Sequence, residues 1–354
     1  MRITVDKIAS SARHVVPRPT VVLGSEIRAK AGAVLVVKVL DEKHTYNQLE
    51  DAHGRLRTVH RGDCVVGVLG RRDALRGYAG DVPSSVKVGD ILHLLNLGGV
   101  IGRCTSASDD VGAPARVQVL GCVLAVDGGR QGEPALIHPG PVAGSDTLDP
   151  LPPLVILAGT CMHAGKTAAA CALVRAAASR GLRVGAAKLT GVALRRDTLE
   201  MEDHGAVAVA SFADAGLPST AGEAGVVHVA RGVLNEVARA HVDLIIAELG
   251  DGLLGTYGVR EILADEAVRR ATSGLVVSAN DPVAAWGAHQ LVLGIGHTVT
   301  CFTGPATDNA SGCLSIEGST GVAAFNARSA PGALADHVLG HLGLQVSTLA
   351  LAAL

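Results

Sequence analysis

The chain has 354 residues, 48% of them hydrophobic and 18% charged, with a formal charge of −2. That length exceeds one typical domain, and a near-neutral chain without a long basic run gives nucleic-acid binding no electrostatic support. Seven cysteines, an odd number with no Cys-x-x-Cys pair, argue against a disulfide framework or zinc knuckle and for a reduced, cytoplasmic setting.

The N-terminus, Met1 to Lys7, lacks an apolar signal core, and no uncharged apolar run reaches the roughly 18 residues that suggest a membrane span. With three Phe, three Tyr and one Trp, the cores must be built from Val, Leu, Ile and Ala. Residues 1–140 read as mostly β. The predicted strands are Thr20–Leu23, Ala33–Leu40, Cys64–Leu69, Gly99–Arg103 and Arg116–Val126, with turn signals at Lys87-Val88-Gly89-Asp90 and Asp127-Gly128-Gly129. Short strands with frequent glycine turns predict a small barrel or sandwich over 1–150. Asp63-Cys64, Arg71-Arg72-Asp73, Arg76-Gly77-Tyr78 and the Leu92–Gly99 stretch are candidates for a substrate or dimer surface, or equally for packing and surface charge. A linker runs from Pro139 to Pro153.

From 151 to 354 the texture becomes alternating strands and helices, which predicts an α/β, mainly parallel sheet covered on both faces. Strands are predicted at 154–158, 182–187, 243–248, 274–279 and 297–303. Helices are predicted at 165–180, around 198–215, and at 230–240, 259–271, 282–294 and 331–342. In such sheets ligands bind outside the carboxyl ends of the strands.

The segment Gly159-Thr160-Cys161-Met162-His163-Ala164-Gly165-Lys166-Thr167-Ala168 lies between the first of these strands and an Ala-rich helix. Strand, glycine loop ending in Gly-Lys-Thr, then helix is the setting of a P-loop, whose backbone amides cradle phosphate. Lys166 would reach the β- and γ-phosphates and Thr167 would ligate Mg²⁺. The spacing is one residue longer than the usual pattern. His163 is either a phosphate contact or a solvated loop residue.

Further along, Lys188 leaves the second strand, expected to neighbour the first, and is a candidate second phosphate or substrate contact. Glu248 ends a buried strand in Glu-Leu-Gly-Asp-Gly, where an acid can hold Mg²⁺, with Asp251 a weaker candidate. Asp197, in a charged stretch, is a choice for completing the metal shell. Asp214 lies in a helix-end loop that reads as a turn, with a substrate contact as the alternative. Asn280 and Asn309 follow the last strands; either suits an adenine edge or plain turn chemistry. No guanine-specific Asn-Lys-x-Asp sequence is present, which tilts the choice to ATP.

These pieces together resemble the dethiobiotin-synthetase-like branch of P-loop proteins, which includes cobyrinic acid a,c-diamide synthase. There the loop reads Gly-Thr, four variable residues, Gly-Lys-Thr, as at Gly159 to Thr167; a lysine follows the second strand, as does Lys188; and a strand ends in Glu-Gly-Ala-Gly, similar to Glu248-Leu249-Gly250-Asp251-Gly252. The resemblance covers residues 154–325 and implies that Thr167, Glu248 and Asp197 hold Mg²⁺ while Lys166 and Lys188 stabilise phosphoryl charge. Leu189-Thr190-Gly191 departs from the segment that binds the diamine in dethiobiotin synthetase, and residues 1–150 have no counterpart there. The expectation is an ATP- and Mg²⁺-dependent ligase that phosphorylates a small-molecule carboxylate or carbamate for C–N bond formation, and the resemblance adds a homodimer as a further expectation. The alternatives are a small-molecule kinase, a nucleotide-switch ATPase and a coenzyme A-dependent acyltransferase.

Overall fold

The computed structural model describes residues 1–126 and 131–344; the turn signal at Asp127-Gly128-Gly129 lies outside the described residues. Among the described residues, twelve strands precede the linker: β1 Arg2–Thr4, β2 Lys7–Ile8, β3 Thr20–Gly24, β4 Val34–Val39, β5 Gln48–Glu50, β6 Leu56–Thr58, β7 Cys64–Leu69, β8 Arg72–Asp73, β9 Tyr78–Asp81, β10 Ile91–Leu94, β11 Val100–Ala107 and β12 Arg116–Val123. The strands β12, β4, β7, β11 and β10 pair in a closed circuit, since β10 bonds both β11 and β12. Closure removes the sheet edges and leaves an interior that side chains fill. Leu35, Val37, Val65, Leu69, Ile101 and Val117 fill it. Leu92, Leu94 and Leu95 are buried as well, Leu92 and Leu94 in the same core, so these three offer no surface, while Leu97 is partly exposed. β5 and β6 form a separate hairpin.

After the linker come β13 Leu154–Gly159, α1 Lys166–Ser179, β14 Val184–Thr190, α2 Arg196–Asp203, β15 Ala206–Ser211, α3 Val226–Ala238 and β16 Leu244–Leu249. They are followed by α4 Val259–Ala264, α5 Glu266–Ala271, β17 Thr272–Ser278, α6 Pro282–Gly294, β18 Cys301–Thr303, α7 Ala310–Thr320 and α8 Pro331–His341. The six strands are all parallel, in the order β15-β14-β16-β13-β17-β18. This is an α/β architecture built on a parallel sheet. Alternate residues of β13 enter opposite cores: Ile156 and Ala158 meet α3, α4 and α6, while Val155 and Leu157 meet α1 and α8. A strand buried on both faces must be apolar throughout, as Leu-Val-Ile-Leu-Ala is.

Four expectations need correction. Residues 198–215 are not one helical region: a short α2 gives way to the edge strand β15, where Val207 is half exposed. The 259–271 helix breaks at Asp265, whose extended backbone and side chain cap α5 through Val268 N–H. The 297–303 strand is regular only over Cys301–Thr303, and helix α7 follows it unpredicted. Finally, β14 does not neighbour β13; β16 runs between them.

Candidate functional site

The site assembles at the carboxyl edge of β14, β16 and β13. α1 begins at Lys166 because Gly165 adopts the left-handed conformation (φ 92°) and turns the chain into the helix. Gly159 is needed for a different reason. A Cβ there would lie 2.9 Å from Lys166 Cδ, so glycine lets the lysine fold back across its own loop. Lys166 Nζ donates to the Cys161 carbonyl at 2.8 Å. Burial pulls this amine below its ordinary pKa, and the neighbouring Glu248 opposes that shift.

Because β16 intervenes, Glu248 lies between the P-loop strand and Lys188, in register with Leu157 on one side and Lys188 on the other. Lys188 Nζ contacts Glu248 Oε1 at 2.6 Å and Asp197 Oδ2 at 2.7 Å. Thr167 Oγ1 donates to Glu248 Oε1 at 3.2 Å. Four of the predicted residues therefore form one continuous cluster. Burial alone would depress the Lys188 ammonium, but the Asp197 and Glu248 carboxylates raise it above its ordinary range. Burial favours a protonated Asp197, and Lys188 overrides it, holding that carboxyl below its usual value. Glu248 moves the other way, raised by burial.

The cluster is incompletely satisfied. Glu248 Oε2, Asp251 Oδ1, Thr160 Oγ1 and Ser278 Oγ are buried without a hydrogen-bond partner among the described residues. Groups of this kind in a folded protein call for an explanation, and a ligand or ion is a common one. Asp251 also sits in left-handed backbone (φ 69°), a conformation that costs a non-glycine residue about 1 kcal/mol or more and concentrates at functional sites. His163 shares it (φ 60°) and points to solvent. Among the described residues, no group of three or more His, Cys, Asp or Glu is arranged to hold a metal. That is no obstacle to Mg²⁺, which commonly takes one or two carboxylates and fills its shell with phosphate and water oxygens. Glu248 with its unpartnered oxygen, Thr167 and Asp197 supply hard oxygen donors and fit it.

The two asparagine candidates take separate places, Asn280 against the glycine loop and Asn309 at a helix start. Asn280 Nδ2 contacts Cys161 Sγ at 2.9 Å. Asn309 caps α7, its Oδ1 accepting from Gly312 N–H at 2.9 Å. A cavity of about 460 Å³ runs along α1 from Ala168 past Arg175, flanked by His204 and Arg328; Asn309 does not line it.

Sequence reasoning missed how far the β-rich region takes part. Glu50, fully buried, accepts the N–H groups of Arg195 and Arg196 at 2.7 Å each. Asn96 Nδ2 donates to the Ala193 carbonyl at 2.9 Å. On the loop after β16, Thr256 Oγ1 donates to Asp73 Oδ2 at 2.8 Å, and the Tyr257 hydroxyl accepts Asp73 N–H at 2.9 Å. Asp214 accepts from Arg13 and lies 2.9 Å from His14 Nε2. The Asp214 loop thus belongs to the seam between the two regions. No local signal links residues so far apart in the chain.

No protein-family model matches the chain, and no curated protein matches its sequence. Among solved structures it is similar to the signal recognition particle 54 kDa protein from Aeropyrum pernix in complex with GDP: 19% identity, 57% of this chain and 50% of that one, TM-score 0.38. The signal recognition particle receptor FtsY from Elizabethkingia anophelis, in complex with GDP, gives 14% identity, 51% and 58% coverage and a TM-score of 0.35. A DUF1611 family protein from Anabaena variabilis gives 18%, 56%, 63% and 0.38. The chain thus spans about half to under two-thirds of the length of each.

Proposed function

We propose that this chain binds a nucleoside triphosphate with Mg²⁺ and cleaves it at the site of Lys166, Thr167, Lys188 and Glu248, with the β-rich region coupled to the nucleotide state. The observation that supports it most is the ion cluster of Lys188 with Glu248 and Asp197, one hydrogen bond from the P-loop threonine. In this reading the ammonium groups are stored on protein acceptors and pass to phosphate oxygens when nucleotide arrives. Lys166 leaves the Cys161 carbonyl, and Lys188 exchanges a carboxylate for the transferred group. Thr167, Glu248 and Asp197 would hold Mg²⁺, which supplies charge neutralisation at the phosphate oxygens. Catalysis is then positioning and electrostatic stabilisation, as phosphoryl transfer requires. The cavity along α1 is our choice for the nucleoside.

A second reading makes the same site that of an ATP-dependent ligase acting on a small-molecule carboxylate or carbamate, as in the dethiobiotin-synthetase-like branch. The second buried lysine favours it, because a second ammonium adds stabilisation to charge on a phosphoryl group in transfer.

A melting-shift titration with ATP, GTP, ADP and coenzyme A, each with and without Mg²⁺, tests the proposal on wild type and Lys166→Ala. A ligand that binds only the folded state adds roughly 2.7 kcal/mol at about a hundredfold excess over its Kd. A Mg²⁺-dependent triphosphate shift, lost in the variant, is the expected result; a shift with coenzyme A alone would sink the proposal. Slow phosphate release indifferent to metabolites separates the coupled hydrolase from the ligase, which needs its acceptor and yields a C–N bond.

A further inference from the structure

We infer that Glu50, on the β5–β6 hairpin of the β-rich region, is a positioning residue for the phosphate site; the inference rests on the functional reading above. Its two carboxylate oxygens are divided, Oε2 to Arg195 N–H and Oε1 to Arg196 N–H, both at 2.7 Å. Those amides open α2, and the next residue is Asp197, which holds Lys188. A helix start buried without a capping partner leaves amides unsatisfied. Here no side chain of α2's own segment caps it, and the cap arrives from 145 residues earlier in the chain.

The hairpin grips the same segment at two further points. Arg195 Nη1 donates to the Ala52 carbonyl at 2.9 Å. Gly54, at the tip with φ 85°, lies so close to Leu199 that a Cβ there would stand 2.1 Å from Leu199 Cδ1. α2 is only eight residues long, too short to hold itself in water. The path from Glu50 to the ammonium thus crosses one hydrogen bond, one residue of helix and one ion pair. The β-rich region sets where Asp197 stands and, through it, where Lys188 stands.

The test compares steady-state nucleotide hydrolysis by full-length wild type, Glu50→Gln, Glu50→Asp and Arg13→Gln, each with its melting temperature and the hydrogen exchange of residues 196–203. Arg13→Gln removes the seam contact to Asp214 without touching α2 and controls for general loosening. The expected result for Glu50→Gln is a kcat loss of about tenfold to a hundredfold with KM within about threefold, because misplacement taxes the reacting geometry more than binding. Exchange over α2 should quicken. Glu50→Asp, which keeps the charge, should recover part of kcat, and it stands in if Glu50→Gln fails to fold. Arg13→Gln should lower melting and leave kcat alone. Wild-type kcat in Glu50→Gln, or equal kcat losses in Glu50→Gln and Arg13→Gln at equal melting, would overturn the inference while leaving the functional reading intact. Wild type without Mg²⁺-dependent turnover would remove both.

Discussion

In the β-rich region each buried charged side chain ends on fixed partners: Glu50 on two amides, Arg72 on the Tyr46 hydroxyl and the Leu95 carbonyl, Lys7 on Asp63. At the carboxyl edge of the parallel sheet the pattern differs. Glu248 and Asp251 keep buried oxygens without partners, and Lys166 has only a loop carbonyl. Both regions bury charge, but the charged groups of the one have completed their hydrogen bonds, its open buried atoms being the neutral Ser10 and Ser11 hydroxyls, while those of the other have left acceptors open. Completed networks rigidify; open ones cost free energy until something fills them. The contrast separates charge that builds from charge that receives, without reference to any relative.

The sharpest way to break this comparison is Lys188→Met. It strands the Glu248 and Asp197 carboxylates in the interior and should destabilise the chain by about 3–5 kcal/mol in urea titrations, the scale of a broken buried pair. Adding Glu248→Gln should restore part of that loss. An unchanged midpoint would mean that the cluster is not the tight ionic unit described above. Next comes Lys166→Ala. Phosphate release should fall by roughly 3–4 kcal/mol of barrier, the scale of one electrostatic donor, while melting holds or rises because a poorly partnered buried amine is gone.

A smaller effect concerns the seam. Asp214 is buried enough to favour protonation, yet the hydrogen bond with His14 and the Arg13 charge bring its pKa down to about 2 from 3.8. A carboxyl lowered by folding contributes stability above its unfolded value and loses it as pH falls through the folded one. About 2 kcal/mol should therefore disappear between roughly pH 4 and pH 2, and Asp214→Asn should flatten that part of the stability profile. Last, Asn309→Ala removes a helix cap and should cost about 1 kcal/mol of stability. A change in ATP-over-GTP preference in that variant would show that Asn309 also touches the base.

Legibility in the sequence follows the same division. The Gly159–Thr167 loop, the Lys188 strand end and the Glu248 strand end are written in contiguous residues, so spacing and local texture mark them as candidates. Edge strand β15 escaped because Ala206-Val207-Ala208-Val209-Ala210 sets three helix-forming alanines against two β-branched valines, and only its place beside β14 decides. The short strands β5, β6, β8 and β9 have too few apolar residues to show a period. β16 lies between β13 and β14 because of sheet topology, which no local pattern encodes. Glu50 was invisible for the plainest reason: it looks like any glutamate after a leucine until residue 195 is brought against it.

The distance in sequence between Glu50 and the amides it caps has a consequence during synthesis. Every strand of the closed circuit lies within residues 34–123, so the barrel can complete its pairing before β13 has emerged. At roughly 5–20 residues per second, the stretch from Val123, the end of β12, to Arg195 takes about 4–14 s, during which Glu50 waits on a finished barrel, facing water. The nascent chain then meets a preformed template at the moment α2 is made. The order of translation matches the order in which the parts depend on one another, with the scaffold that aims Asp197 in place before Asp197 exists.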